Sequence, residues 1–110
     1  MTELKVLPPH EMIEVQALPL DEKRKLFISG YINYDYQLVV LYRGDGTSIQ
    51  LNWSFFQDTN AITEPDFHDF EIIDYGHAVK FGKYEASTHS ILIARDPEYK
   101  KYCESIRNQN

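Results

Sequence analysis

The chain has 110 residues, of which 43% are hydrophobic and 25% charged. This composition is typical of a globular domain with its own core and argues against disorder, so we expect a single domain over residues 1–110. With 17 acidic and 11 basic residues the formal net charge is −6, which argues against direct binding of nucleic-acid phosphates. A single cysteine excludes an internal disulfide framework. Since no signal-peptide pattern or membrane-length apolar run is present, we expect a cytoplasmic protein that contacts no membrane.

The first third of the chain predicts a loose arm followed by two strands. Two consecutive prolines disfavour regular pairing near the start, so residues 1–9 are predicted to be a flexible arm. The side chains of residues 12–18 alternate between two faces of the chain, which favours a half-buried strand. A charged connection then leads to a second predicted strand over residues 26–32. Gly30 inside this second strand indicates a bulge or a place where another backbone approaches closely.

Two strand–turn–strand units form the middle of the chain. The first begins with an apolar strand at residues 36–42 and turns through the Gly-Asp-Gly sequence at residues 44–46, because glycine supplies the positive φ of a tight hairpin. The second unit spans residues 70–82 and has its turn at Gly76. Residues 85–95 fit either a buried strand or the end of a helix.

The end of the chain predicts an amphipathic helix over residues 96–108. Asp96 can accept hydrogen bonds from the first-turn amides, Pro97 suits the first helical position, and Glu98 suits the positive end of the helix dipole. An apolar stripe follows at helical spacing, formed by Tyr99, Tyr102, Cys103 and Ile106. The predicted fold is α+β: a small, mostly antiparallel sheet of four or more strands, with this helix packed on it. Cys103 is then predicted to be a buried, inert thiol.

Acidic residues are concentrated in the middle of the chain. No lysine or arginine lies between Arg43 and Lys80, an interval that holds Asp45, Asp58, Glu64, Asp66, Asp69, Glu71 and Asp74. One interpretation is a solvated acidic loop that pairs loosely with the basic C-terminal segment of the same molecule. The other is an acidic face that steers a basic protein partner into contact. On the second interpretation, the predicted partner-binding residues are Asp58, Glu64, Asp66 and Asp69.

No motif in the sequence carries recognisable catalytic chemistry. The group formed by Asp66, His68 and Asp69 lacks the short Cys and His spacings of zinc sites, so it predicts a solvated turn rather than a metal site. The chain has no nucleophile elbow, no phosphate-cradling glycine loop and no dinucleotide fingerprint. We therefore predict no catalytic residue, no cofactor and no metal.

Two sets of turn and apolar positions recur at characteristic spacings. The first hairpin contains Leu38, Val40, Tyr42, Asp45 and Gly46, and the second contains Phe70, Ile72, Gly76, Val79 and Phe81. With these positions, residues 36–93 resemble the small bacterial family called domain of unknown function 2442, in which a tryptophan is usual where Phe81 stands. The resemblance implies an α+β fold with a small antiparallel sheet. It also implies a protein that occurs alone, beside helix-turn-helix domains, or in gene pairs that look like toxin–antitoxin modules. No catalytic residues are assigned to the family, so the resemblance implies none here.

Three functional hypotheses follow. The first is a non-enzymatic bacterial protein-binding or regulatory domain, antitoxin-like, that engages a basic protein partner in the cytoplasm. The second is an acidic inhibitor or immunity protein that covers the basic cleft of a nuclease or effector, which the acidic interval supports. The third is a small enzyme that uses His68 with nearby carboxylates. A homodimer is compatible with all three.

Overall fold

The computed structural model describes residues 3–57 and 63–107, and within them the chain forms two antiparallel sheets and four helices. The strands are β1 Lys5–Val6, β2 Phe27–Asn33, β3 Leu38–Arg43, β4 Ser48–Asn52, β5 Phe70–Ile73, β6 Ala78–Phe81 and β7 Tyr84–Ser87. The helices are α1 Pro9–Gln16, α2 Leu20–Lys23, α3 Thr88–Arg95 and α4 Pro97–Arg107. Single 3-10 turns occur at Trp53–Phe56 and Asp74–Gly76. The α+β fold predicted from the sequence is confirmed.

The strands pair as two separate sheets rather than one. The larger sheet has the order β1-β2-β3-β4 and the smaller one the order β5-β6-β7, with every neighbouring pair antiparallel. The β3–β4 hairpin turns at residues 44–46 as predicted, with Gly46 at φ 90°. The β5–β6 connection turns at Asp74–Gly76, also as predicted, and Gly76 has φ 85°. The strand predicted over residues 26–32 is confirmed as β2.

One hydrophobic core collects buried side chains from both sheets and from α1 and α3. Strand β5 packs against β1 and β2, which brings the smaller sheet onto the larger one. A Cβ atom at Gly30 would lie 2.6 Å from the carbonyl oxygen of Val40 and 3.2 Å from the ring of Phe70. The close approach predicted at Gly30 is therefore confirmed, and a larger residue there would push the sheets apart.

The strand predicted over residues 12–18 is wrong, because helix α1 occupies Pro9–Gln16. Pro9 stands in the first turn, where its missing N–H costs nothing, and Val15 packs into the core while Ile13 is 72% exposed. Part of the predicted arm is also held in place. Strand β1 pairs with β2, and the N–H of Leu7, a buried residue, donates to the carbonyl oxygen of Ile28 at 3.0 Å.

The C-terminal segment contains two consecutive helices. Residues 85–95, which the sequence left open, divide between the end of β7 and α3, whose first turn is capped by the Ser87 hydroxyl accepting from the Ser90 N–H at 3.0 Å. Helix α4 begins after Asp96, as predicted. It packs beside α3 and reaches the core mainly through Tyr99. The prediction that Cys103 is buried is wrong, because this thiol lies on a part of the helix that is only half-buried.

Candidate functional site

Three of the four predicted partner-binding carboxylates lie on one surface segment, residues 63–69, which we call the acidic loop. Glu64, Asp66 and Asp69 are all exposed there, between the 3-10 turn at Trp53–Phe56 and strand β5. The fourth, Asp58, lies outside the described residues. These three carboxylates thus lie at the protein surface, where their charges can act on another molecule.

Backbone hydrogen bonds hold the acidic loop against the β6–β7 turn. The N–H of Asp66 donates to the carbonyl oxygen of Phe81 at 3.1 Å, and the N–H of Gly82 donates to the carbonyl oxygen of Asp69 at 2.8 Å. The carboxylate of Asp66 also accepts from the N–H of His68 at 3.1 Å. The loop therefore presents its carboxylates from a fixed backbone, which lowers the entropy cost of ordering it on binding.

An aromatic stack supports the loop from below. Phe67 is buried and stacks on Trp53 with ring centroids 4.3 Å apart. His68 stacks on Tyr34 with centroids 4.8 Å apart, and the Tyr34 hydroxyl donates to the carbonyl oxygen of Phe67 at 3.3 Å. His68 thus acts here as a planar packing group.

The described residues give His68 no acid–base partner. No ion pair joins its ring to a carboxylate within residues 3–57 and 63–107, and no group of three or more His, Cys, Asp or Glu side chains in those ranges could hold a metal ion. A shallow hollow of about 110 Å³ adjoins His68 and is lined by Glu3, Lys5, Ile32, Tyr34 and Phe70. General acid–base catalysis needs a second group within hydrogen-bond reach of the reacting proton, and this hollow offers only the surface charges of Glu3 and Lys5, which pair with each other at 3.3 Å.

The carboxylates of the acidic loop take part in no ion pair with any described residue. The ion pairs that do form are Lys5–Glu3, His10–Glu11, Arg24–Glu98, Lys25–Glu22 and Arg43–Asp96. Among the described residues, the basic side chains of the C-terminal segment therefore form no direct ion pair with the loop carboxylates. Glu71, just beyond the loop, lies opposite Lys80 in the β5–β6 register.

A second concave surface, between α2, α3 and α4, was not predicted from the sequence. Two adjoining hollows of about 260 and 250 Å³ share Glu22, Lys25 and Tyr99 in their walls. The Lys25 ammonium lies 4.4 Å from the centre of the Tyr102 ring, and the Tyr99 hydroxyl lies 2.6 Å from Nδ1 of His89. Acidic and basic side chains alternate around this groove, so its charge favours no single class of ligand.

Burial raises the pKa of Tyr99 to about 12, and its hydrogen bond and charge interaction with Cys103 act in the same direction. The Tyr99 hydroxyl is therefore neutral at physiological pH, and its hydrogen bond with His89 joins α4 to α3. Its position on the apolar stripe was visible in the sequence, whereas the approach of His89 depends on how α3 and α4 pack.

Comparison with known proteins yields no match, whether to a protein-family model, a curated protein or a solved structure. The resemblance to the domain of unknown function 2442 family stays an expectation. Within the described ranges, no helix has the length and apolar character needed to cross a membrane. The functional argument therefore depends on the side chains themselves.

Proposed function

We propose that this chain is a non-enzymatic protein-binding domain that contacts a basic protein partner through its acidic loop. The observation that carries the proposal is the exposure of Glu64, Asp66 and Asp69 with no cationic partner among the described residues. Carboxylates that are left unpaired on a fixed loop produce a field that extends about 8 Å at physiological salt. Such a field raises the rate at which a basic partner arrives.

The packing beneath the loop supports binding rather than catalysis. The aromatic rings of Trp53, Phe67, Tyr34 and His68 contact one another next to these carboxylates. A binding surface gains from this arrangement, since a rigid support keeps the charges in place before the partner arrives.

The kind of partner has two candidates within this proposal. The family resemblance favours a regulatory or antitoxin-like interaction. The unpaired charge favours an inhibitor or immunity protein that covers the cleft of a nuclease or effector, because a surface built to hold phosphates is basic and complements exposed carboxylates. In both, the carboxylates of the acidic loop would supply the charge that the partner recognises.

The test compares two variants with the same net charge. The loop variant carries Asp58→Asn, Glu64→Gln, Asp66→Asn and Asp69→Asn, and the control variant neutralises four exposed acids elsewhere: Glu14, Asp21, Asp35 and Glu104. Each raises the formal net charge from −6 to −2. Because exposed charges contribute little to folding, both should unfold within about 0.5 kcal/mol of wild type.

A partner captured from native lysate with wild-type protein then reports on the loop itself. At low salt, the association rate constant of the loop variant should fall by about tenfold or more, while the control variant loses much less. Raising the salt should slow wild-type association and leave the loop variant nearly unchanged. Equal association rate constants for loop and control variants at low salt would rule out the acidic loop as the contact surface.

A further inference from the structure

Strand β4 is an outer strand of the larger sheet, and one of its edges carries outward-facing backbone groups. The N–H of Arg43 donates to the carbonyl oxygen of Thr47 at 2.8 Å, so these two facing residues are a hydrogen-bonded pair of the β3–β4 ladder. Because hydrogen-bonded positions alternate in an antiparallel pair, the N–H and C=O groups of Ser48, Gln50 and Asn52 point away from β3. Within residues 3–57 and 63–107, no further strand pairs with this edge.

This edge of β4 lacks the features that usually prevent strands from pairing with other chains. No charged residue or proline occurs from residue 46 to residue 57, and the β3–β4 register runs without a bulge. The other outer strands are protected. β1 has only two residues and includes Lys5, β5 is covered by β1 and β2, and β7 carries Glu85 and follows Lys83.

We propose that β4 pairs antiparallel with β4 of a second copy of this chain, around a two-fold axis at Gln50. In this register Gln50 faces its own equivalent, and Ser48 faces Asn52 of the second copy. Each facing pair exchanges both backbone hydrogen bonds, since these residues carry the outward N–H and C=O groups. The two larger sheets become one continuous sheet, and the interface closes on itself as a dimer.

The side chains of β4 complement themselves in this register. On the exposed face, two glutamine amides meet at the axis, and the Ser48 hydroxyl meets the Asn52 side chain. The side-chain oxygen Oδ1 of Asn52 already accepts from the Ser54 N–H at 3.0 Å. The side-chain NH₂ group of Asn52 therefore remains to donate to the Ser48 hydroxyl. On the opposite face, Ile49 lies beside Leu51 of the second copy and extends the apolar side of the sheet.

The local charge at this edge does not oppose a second copy as its occupant. Each chain carries a formal charge of −6, so two copies repel one another wherever acidic segments meet. No charged residue occurs from residue 46 to residue 57, so two copies can come together along this stretch without bringing like charges face to face. This inference goes beyond the proposed function, since the dimer edge contains none of the acidic-loop carboxylates.

The first test measures the mass in solution. Sedimentation equilibrium up to about 1 mM protein should show twice the 12.9 kDa of one chain. Gln50→Lys places two lysines opposite each other at the axis and should raise the dimer Kd by about tenfold or more, because like charges directly opposite one another oppose strand pairing. Ser105→Lys, which adds the same charge on an exposed position of α4, should leave the Kd unchanged.

A register-specific rescue separates the proposed pairing from any other dimer. Ser48→Lys combined with Asn52→Asp puts each introduced lysine opposite an introduced aspartate of the second copy. Aspartate retains the oxygen that caps the turn at Ser54. The double variant should dimerise more tightly than either single variant. If the double variant gains nothing over the single variants, the register around Gln50 is wrong.

Amide hydrogen exchange gives an independent readout at single residues. As protein concentration rises, exchange should slow at the outward-facing amides of Ser48, Gln50 and Asn52, and stay constant at Ile49 and Leu51, which already bond to β3. A monomer at about 1 mM, an association that Gln50→Lys does not weaken, or growth beyond a dimer would each overturn the proposal.

Discussion

Replacing Asp96 with asparagine should lower the free energy of unfolding by about 3 kcal/mol, because it removes the charge that balances a buried arginine. The Arg43 guanidinium lies at the end of β3 and is 9% exposed. It donates to the Asp96 carboxylate at 2.8 Å and to the carbonyl oxygen of Arg24 at 2.5 Å. Removal of one partner from a buried pair usually costs about 3–5 kcal/mol, and the lower end applies here because the Arg43 guanidinium still donates to the carbonyl oxygen of Arg24.

The choice of asparagine keeps a second role of Asp96 constant. Its other carboxylate oxygen caps α4 by accepting from the N–H groups of Glu98 at 3.0 Å and Tyr99 at 3.2 Å. Asparagine is as good a cap as aspartate, whereas Asp96→Ala loses the cap as well and should cost about 1 kcal/mol more. The difference between the two variants therefore measures the cap, and the asparagine variant measures the charge together with the hydrogen bond from Arg43.

Urea unfolding of matched variants provides the measurement. Glu98→Gln is the control, since it breaks the exposed Arg24–Glu98 pair at the same helix start and should cost under about 1 kcal/mol. Combining Arg43→Met with Asp96→Asn removes the unpaired charge and should recover most of the loss. Similar losses for Asp96→Asn and Glu98→Gln would show that burial of the Arg43–Asp96 pair has no energetic consequence.

The same pair predicts how stability depends on pH. Burial alone would raise the pKa of Asp96, but hydrogen bonds from the Tyr99 N–H and from Arg43, together with the charge of Arg43, outweigh it and hold the pKa below the ordinary 3.8. A carboxyl whose pKa is lowered on folding stabilises the protein above its unfolded pKa, and that stabilisation is lost as the pH falls through the folded value. Wild type should therefore lose stability below about pH 4 more steeply than Asp96→Asn.

Two further predictions concern packing and a buried hydroxyl. Gly30→Ala should lower the free energy of unfolding by about 1–3 kcal/mol, because its methyl group would overlap the Val40 carbonyl oxygen. Gly46→Ala is the control, since its methyl group meets open space and should cost only about 1 kcal/mol for the positive φ. Equal losses of stability for the two variants in urea would contradict the close approach at Gly30. The pKa of Tyr99 is raised to about 12, so its contribution to stability should be complete below pH 10 and lost as the pH rises through 12. In an alkaline absorbance titration, Tyr99→Phe should remove an ionisation near pH 12, and an unchanged absorbance step there would refute the assignment.

Local signals in the sequence were sufficient where a structure is set by neighbouring residues. The hairpin at residues 44–46 follows from glycines that tolerate positive φ, and the start of α4 follows from Asp96 and Pro97. The exposure of Glu64, Asp66 and Asp69 follows from the lack of apolar periodicity around them. Each of these features depends on residues within a few positions of one another.

Features set by contacts between distant residues could not be predicted in this way. The stacking of His68 on Tyr34 and the pairing of Arg43 with Asp96 join residues far apart in the chain. Helix α1 was mistaken for a strand because seven residues are too few to distinguish an alternating pattern from a helical one when only Val15 is fully buried. The close approach of the Phe70 ring to Gly30 likewise joins residues far apart in the chain.

The two proposals meet at Trp53, which directly follows the strand proposed to pair and whose ring stacks on Phe67 of the acidic loop. They also predict opposite responses to salt. Screening weakens the attraction between the acidic loop and a basic partner, so that association should slow as salt rises. Screening equally weakens the repulsion between two chains of charge −6, so that pairing through the uncharged strand β4 should become tighter. A salt series on wild type, Gln50→Lys and the loop variant therefore assigns each response to its own surface, and neither proposal can account for a failure of the other.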